Sequence, residues 1–307
     1  LTAGESHGPM LTAILEGFPA GLALTDEDIT KELRRRQKGY GSGGRMQIEK
    51  DKIRITSGLM NGLTTGGPIS LLVENRDFKN WKEKDIVPIT TPRPGHADLT
   101  GAVKYGYREL RLSLERASAR ETTMRVAVGA ICKRFLAEFG MEIGGYVVQI
   151  GSAKIEVDDQ ADFLALYEAG EMSDVRCPVT EIAEQMHEEI RQAKIDKDTL
   201  GGIFEIFALN VPPGLGTHVH WDRRLDAKIV GAMTSIQAMK GAEIGHAFEN
   251  ATKRGSQVHD MIDVDDDGFL TRRTNRAGGL EGGITTGDPI LVRVAMKPIS
   301  TMLRGAD

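Results

Sequence analysis

Apolar residues recur along this chain with two periods, and each period predicts a different element. Met124, Val128, Ile131, Phe135 and Phe139 fall on one side of a 3.6-residue helix, the strongest helical signal present, and Gly140 marks its end. Thr25 with Asp28 three residues on predicts a capped helix start, with Ile29 and Leu33 turned inward. Leu225, Ile229, Met233 and Ile236 repeat the helical spacing later in the chain. Ile203, Glu205, Phe207 and Leu209 alternate, but Phe204 and Ile206 between them are apolar as well. That combination predicts a strand buried on both faces. The stretch 157–197 is acidic and helical, and reads as a peripheral insertion of solvated helices that carries no chemistry.

The pattern also repeats. Pro19-Ala20-Gly21-Leu22 leads into a helix, and so does Pro212-Pro213-Gly214-Leu215. Gly62-Leu63-Thr64-Thr65-Gly66-Gly67-Pro68-Ile69 matches Gly283-Ile284-Thr285-Thr286-Gly287-Asp288-Pro289-Ile290, and each octet precedes an apolar strand, Ser70 to Glu74 or Leu291 to Met296. Two matches in the same order predict a duplicated unit and a pseudo-twofold core. Chance likeness between Gly-rich turns is the alternative. The expected architecture is one α+β domain over residues 1–307, with sheets packed against helices and repeat units near 1–80 and 200–300.

Composition narrows the partners. The 307 residues carry a net charge of −5, which argues against a nucleic-acid binder. Hydrophobic residues make up 40% and charged residues 27%, and no apolar run approaches a membrane span, so a cytoplasmic protein is expected. Cys132 and Cys177 provide neither a disulfide framework nor metal-ligand spacing. An anionic ligand must therefore be held by arginines gathered locally.

Two histidines stand among small, turn-forming residues: His7 in Gly4-Glu5-Ser6-His7-Gly8, and His96 in Arg93-Pro94-Gly95-His96-Ala97-Asp98. An imidazole moves protons near neutral pH, and clustered guanidinium groups hold polyanions, so the pairing suits expulsion of phosphate from a charged substrate. A buried structural histidine is the plainer account of His7. The nearby arginines have no acidic partner close in sequence. Arg34, Arg35 and Arg36 are consecutive on a helix and cannot all face one ligand. Arg36 and Arg45 flank the Gly39–Gly44 loop, whose amides could also approach an anion. Arg93, Arg116 and Arg120 read as lying in or beside turns, and Arg116-Ala117-Ser118-Ala119-Arg120 precedes the long helix. His218-Val219-His220 has strand spacing but no third ligand, so no metal is expected. His246 and His259 have no supporting constellation. Asp263 to Gly268 starts like a calcium loop, but Thr274 stands where the bidentate Glu belongs, and a hairpin tip fits better.

Taken together, GESHG, RRRQKGYG, TPRPGHAD, LERASARETT, DRRLDAK, SIQAMKGAEIG, GSQVHD, TNRAGGLEGG and MKPIST make the chain resemble the chorismate synthase family from residue 1 to about 301. The resemblance implies a β-α-β sandwich with internal pseudosymmetry, assembled as a homotetramer. It implies a lyase that converts 5-enolpyruvylshikimate 3-phosphate to chorismate and phosphate by 1,4-anti elimination, with reduced FMN supplied by an external flavin reductase. By the same resemblance His7 is the acid at the departing phosphate and His96 sets the protonation of the reduced flavin. Arg36, Arg45, Arg93 and Arg120 would line the substrate pocket. Arg116, Ala117, Ser118, Gln237, Ala238, Gly282, Lys297, Pro298, Ile299, Ser300 and Thr301 match flavin-contacting segments. Ser42 stands where the family carries arginine, and Ala117 and Ser300 replace commoner residues. The stretch between Trp81 and Thr90 is short for the family, and the C-terminal part of the family domain is expected to be absent from residues 1–307. A catalytically impaired flavin- or anion-binding homologue is the alternative reading.

Overall fold

The computed structural model describes residues 1–41, 48–82 and 86–302, so the expectations placed on Ser42 and Arg45 lie outside the described residues. The chain divides into two compact units, Leu1–Phe139 and Gly140–Asp307.

The first unit runs β1 (Thr2–Ala3), β2 (Met10–Leu15), α1 (Asp26–Gln37), β3 (Ile53–Ser57), β4 (Leu59–Met60), β5 (Leu63–Thr64), β6 (Ile69–Glu74), α2 (Asp98–Tyr105), α3 (Arg111–Ala117) and α4 (Thr122–Ala137). Its main sheet has the order β1-β2-β6-β3, with antiparallel neighbours. Alternation turns Leu11, Ala13, Ile69, Leu71 and Val73 to one face, where Ile29 and Leu33 of α1 and Met124, Ala127 and Ile131 of α4 close the core. The predicted cap forms: Thr25 and Asp28 satisfy each other's backbone amides at the start of α1. Helix α4 ends two residues before Phe139, which is 62% exposed, and Gly140 follows at φ 73°.

The second unit contains β7 (Glu142–Ile150), β8 (Ala153–Lys154), α5 (Phe163–Met172), α6 (Thr180–Ile195), β9 (Gly202–Leu209), α7 (Leu225–Thr234), β10 (Met239–Ile244), α8 (Ala247–Asn250), β11 (Ile262–Val264), β12 (Leu270–Arg272), β13 (Leu280–Glu281), β14 (Ile284–Thr285) and β15 (Ile290–Met296). Its sheet has the order β10-β15-β9-β7-β8. Strand β9 is covered on both sides, as its double apolar pattern requires. Phe207 joins the cluster beneath α5 and α6, and Phe204 and Ala208 join the one packed by Leu225, Ile229 and Met233 of α7.

The insertion departs from expectation. Phe163, Val175, Cys177, Ala183 and Met186 are buried against Tyr146 and Phe207, so the helices are solvated on one side only and complete a core on the other. Acidic outward positions dominate the composition and mask that inner stripe. The Asp263–Gly268 run is the tip of the β11–β12 hairpin, and no three-ligand metal cluster occurs among the described residues.

The two octets are built alike. Thr64 Oγ1 donates to Pro19 O at 2.7 Å and accepts from Leu22 N at 2.9 Å; Thr285 Oγ1 donates to Pro212 O at 2.7 Å and accepts from Leu215 N at 2.9 Å. Both turns also need a glycine. A Cβ on Gly58 (φ 86°) would sit 2.7 Å from Ile69 Cα, and one on Gly279 (φ 76°) would sit 2.5 Å from Pro289 O.

Candidate active site

The GESHG loop leaves β1 through Gly4, whose φ of 113° and contact with Met10 O, 2.7 Å from any Cβ, exclude a side chain. The loop is then tied to α3. Ser6 N donates to Glu115 O at 3.1 Å, His7 N donates to Glu115 Oε2 at 2.7 Å, and His7 Nδ1 lies 2.8 Å from Glu115 Oε1. The imidazole also packs on the Trp81 ring, with centroids 4.2 Å apart, and Arg111 lies over that same indole. Asn75, at the end of β6, donates to Glu5 O and Gly8 O and so holds both ends of the histidine turn.

The same asparagine leads to the arginines. Arg120 donates through Nε to Asn75 Oδ1 at 2.9 Å and through Nη1 to Asp51 Oδ2 at 3.0 Å and Thr123 Oγ1 at 3.2 Å. Its Nη2 lies 2.8 Å from Asp51 Oδ1, close in distance but outside hydrogen-bond geometry, and 3.6 Å from Glu49 Oε2. Arg36 shares Asp51 at 3.6 Å and donates to Thr122 Oγ1. Helix α1 thus aims Arg36 inward, whereas Arg34 pairs with Glu27 on the solvated side. Ser118 Oγ donates to Ser6 Oγ at 3.1 Å, and Arg116 donates to Thr2 O and Thr2 Oγ1 at 3.0 Å. Arg116 and Ala117 lie on α3 rather than in a turn.

Arg93 and His96 form a second cluster around Asp98, the first residue of α2 and fully buried. That carboxylate accepts from Arg93 N at 3.1 Å, Nε at 2.9 Å and Nη2 at 3.1 Å, and lies 2.6 Å from His96 Nδ1. The acidic partner missing from the sequence reading is therefore five residues away. Burial works to raise the Asp98 carboxyl, but the hydrogen bonds from Arg93 and the charges of His96 and Arg93 outweigh it and hold the carboxyl below its ordinary range. The cluster reaches α3 through a close helix contact, where a Cβ on Gly101 would strike Ser113 Oγ at 2.3 Å.

In the second unit, Ala238 adopts φ 70° and its carbonyl accepts from Lys297 N at 3.0 Å, so Gln237-Ala238 and the segment after β15 run side by side. Lys297 Nζ donates to Ser300 Oγ at 3.1 Å, and Ile299 O accepts from Thr199 Oγ1. Gly282 stands at the tip of the β13–β14 hairpin beside His218. His218-Val219-His220 forms no strand; it is loop, with His220 on Asp222. His246 does have a constellation, contrary to the sequence reading: its Nε2 is 4.0 Å from Glu205 Oε2, and Glu205 also takes Arg293 Nε at 2.6 Å and Tyr146 Oη at 2.5 Å. The sequence reading missed Glu49, Asp51 and Glu115 as partners, and quoted Asp98 in the His96 motif without assigning it to Arg93. Asp98, two residues from His96, and Glu115, adjacent to Arg116, carried local signals.

The first unit thus holds two imidazoles, each with Nδ1 against a carboxylate, and two arginines that share the buried Asp51; such groups are suited to proton transfer and to holding an oxyanion. The family model for chorismate synthase matches residues 1–307. Chorismate synthase of Aquifex aeolicus (strain VF5) is 55% identical, covering 100% of this chain and 82% of its own length. The Geobacillus sp. (strain WCH70) enzyme is 55% identical over 99% of this chain and 81% of its own. A solved crystal structure of chorismate synthase superposes with a TM-score of 0.85 at 51% identity, covering 97% of this chain and 84% of that one. The chain belongs to the chorismate synthase family.

Proposed function

We infer that this chain is a lyase converting 5-enolpyruvylshikimate 3-phosphate to chorismate and phosphate by 1,4-anti elimination with reduced FMN, the last step of the shikimate pathway. The observation that carries the reading is the convergence of His7, Ser118, Arg36 and Arg120 on one hydrogen-bonded network, with family membership over the whole chain. The substrate bears a phosphate and two carboxylates. Guanidinium forks suit both groups, which favours arginine over lysine around the pocket.

Each residue has a task that its surroundings support. His7 delivers a proton to the departing phosphate. Arg36, Arg45, Arg93 and Arg120 supply the positive field, with Arg36 and Arg93 the more exposed of the three described, at 12% and 30% of their side chains against 5% for Arg120. His96, oriented by Asp98, governs protonation at the flavin. By the family resemblance Arg116, Ala117 and Ser118 of the first unit, and Gln237, Ala238, Gly282 and Lys297 to Thr301 of the second, would contact FMN. Taken separately, the first set offers the Arg116 cation and the Ser118 hydroxyl, and the second the Lys297 cation, the Ser300 hydroxyl and a left-handed backbone at Ala238. When bound, reduced FMN supplies electron density to the reacting allylic system and a base for the proton lost from it.

A homotetramer, a separate flavin reductase and a cytoplasmic site complete the reading and rest on the family resemblance; no helix among the described residues is long and apolar enough to cross a membrane. The impaired alternative gains no support. Anaerobic incubation with chemically reduced FMN and substrate should release chorismate and phosphate together. His7→Ala and His96→Ala should each cut turnover on the order of 10²-fold or more while the fold stays intact. Normal turnover by both variants would remove the catalytic assignment.

A further inference from the structure

We propose that Glu115 is a positioning residue that holds His7 with a proton on Nδ1, so that the proton it transfers is the one on Nε2. The inference rests on the reading above that His7 protonates the departing phosphate. Glu115 grips both donors of a single residue. Oε2 takes the His7 backbone N–H at 2.7 Å and Oε1 faces Nδ1 at 2.8 Å. An ionised carboxylate only accepts, so Nδ1 must carry a proton. The Glu115 carbonyl also accepts from Ser6 N at 3.1 Å, which fixes the loop to α3 through main chain and side chain together.

Two further neighbours point the same way. Arg111, one turn earlier on α3, lies 3.9 Å from Glu115 Oε1, and the Trp81 ring, 4.2 Å from the imidazole, limits its tilt. Although burial works to raise the Glu115 carboxyl, the hydrogen bonds from the His7 ring and backbone and the charges of His7 and Arg111 overcome it and keep it ionised. The proton balance is then definite. Nε2–H passes to a phosphate oxygen as the allylic C–O bond breaks, and phosphate leaves with the bonding pair. His7 is left as the neutral Nδ1–H tautomer, with an Nε2 lone pair ready to be reprotonated from solvent.

Glu115→Gln tests this, because an amide cannot accept twice in the same geometry. Its one oxygen is claimed by the His7 backbone N–H, an obligatory donor, and its NH₂ then faces Nδ1 and forces the opposite tautomer. In protein labelled with ¹⁵N-histidine, neutral His7 should read as Nδ1–H in the parent and Nε2–H in Glu115→Gln, with His96 unchanged as internal control. Turnover should fall roughly 10²- to 10⁴-fold with KM little altered, the scale expected when an orienting carboxylate is lost. Glu115→Asp, which keeps two acceptor oxygens, should recover part of it. An Nε2–H tautomer in the parent, or a Gln variant with parental tautomer and turnover within about twofold, overturns the proposal. The parent spectrum decides even if the variant fails to fold. Absence of chorismate from the parent would instead sink the functional reading and leave the tautomer result standing.

Discussion

Arg120→Met asks whether the most buried arginine of the centre is a ligand for substrate or a counter-ion within the fold. Methionine keeps an apolar stem as far as the Nε position but removes every donor. Asn75 Oδ1 then loses its 2.9 Å partner, and Asp51, with no exposed side-chain surface, loses contacts at 3.0 and 2.8 Å. Arg36 stays near that carboxylate, at 3.6 Å. Removing one partner of a buried pair costs about 3–5 kcal/mol, because the charge left behind is uncompensated. That is a large share of the roughly 5–15 kcal/mol that holds a protein folded. Adding Asp51→Asn removes the stranded charge, so the double variant should regain about half of the loss or more, a coupling of roughly 1–3 kcal/mol. Equilibrium unfolding in guanidinium chloride of the parent, both single variants and the double variant yields this cycle directly. If Arg120→Met unfolds within about 0.5 kcal/mol of the parent and the changes simply add, the guanidinium is not Asp51's counter-ion. The network argument then fails, and a purely substrate-facing Arg120 takes its place.

Three further outcomes follow from other parts of the structure. Because Asp98 is held below its ordinary value of 3.8, the stability it contributes is complete above that value and drains away as pH falls through the lower folded one. Asp98→Asn should therefore lower stability by about 1–3 kcal/mol at neutral pH and flatten the acid limb of a stability–pH curve; an unchanged limb would count against the pairing. Thr64→Val and Thr285→Val each leave one N–H and one carbonyl without their hydroxyl partner and should each cost about 1–3 kcal/mol, in similar measure, as read by denaturant midpoint. A large effect from one and none from the other would show that the octets are alike only in sequence. Gly4→Ala should depress turnover more than Gly17→Ala, since a Cβ at Gly4 would meet Met10 O at 2.7 Å while one at Gly17 meets nothing within 4 Å, although both have positive φ; equal effects would locate the problem in φ alone.

What the sequence disclosed was periodic or local. The Met124–Phe135 stripe, the Thr25 cap, the doubly covered β9 and the matched octets all act through neighbours a few residues away or through a repeated string. The stripe as far as Phe135, the cap and the double cover of β9 stand in the structure as their patterns imply, while Phe139, the stripe's fifth member, lies past the end of α4 and is exposed; the octets share the same hydrogen bonds at Thr64 and Thr285. The insertion was misjudged because surface acidity outweighs a narrow apolar stripe in any count of composition. The histidines and arginines were visible because imidazole and guanidinium are scarce and chemically explicit. Apart from Asp98, which stands in the His96 motif, their carboxylate partners were not, since Glu and Asp are abundant and mostly solvated, and the fold reveals which few are buried.

That asymmetry bears on how the centre works. Glu49, Asp51, Asp98 and Glu115 are each at most 12% exposed, and each faces at least one of the cations or imidazoles that the sequence put forward. Arginines gathered in one network would repel one another, and buried carboxylates remove that repulsion while fixing each fork's direction. On the proposed reading the positive field is thereby pre-aimed rather than merely strong, and substrate would meet donors whose orientation has already been set. The same pairing commits one nitrogen, Nδ1, of each imidazole to a carboxylate. Substitutions at the carboxylates should thus act on turnover through orientation, and substitutions at the arginines through both orientation and the field itself.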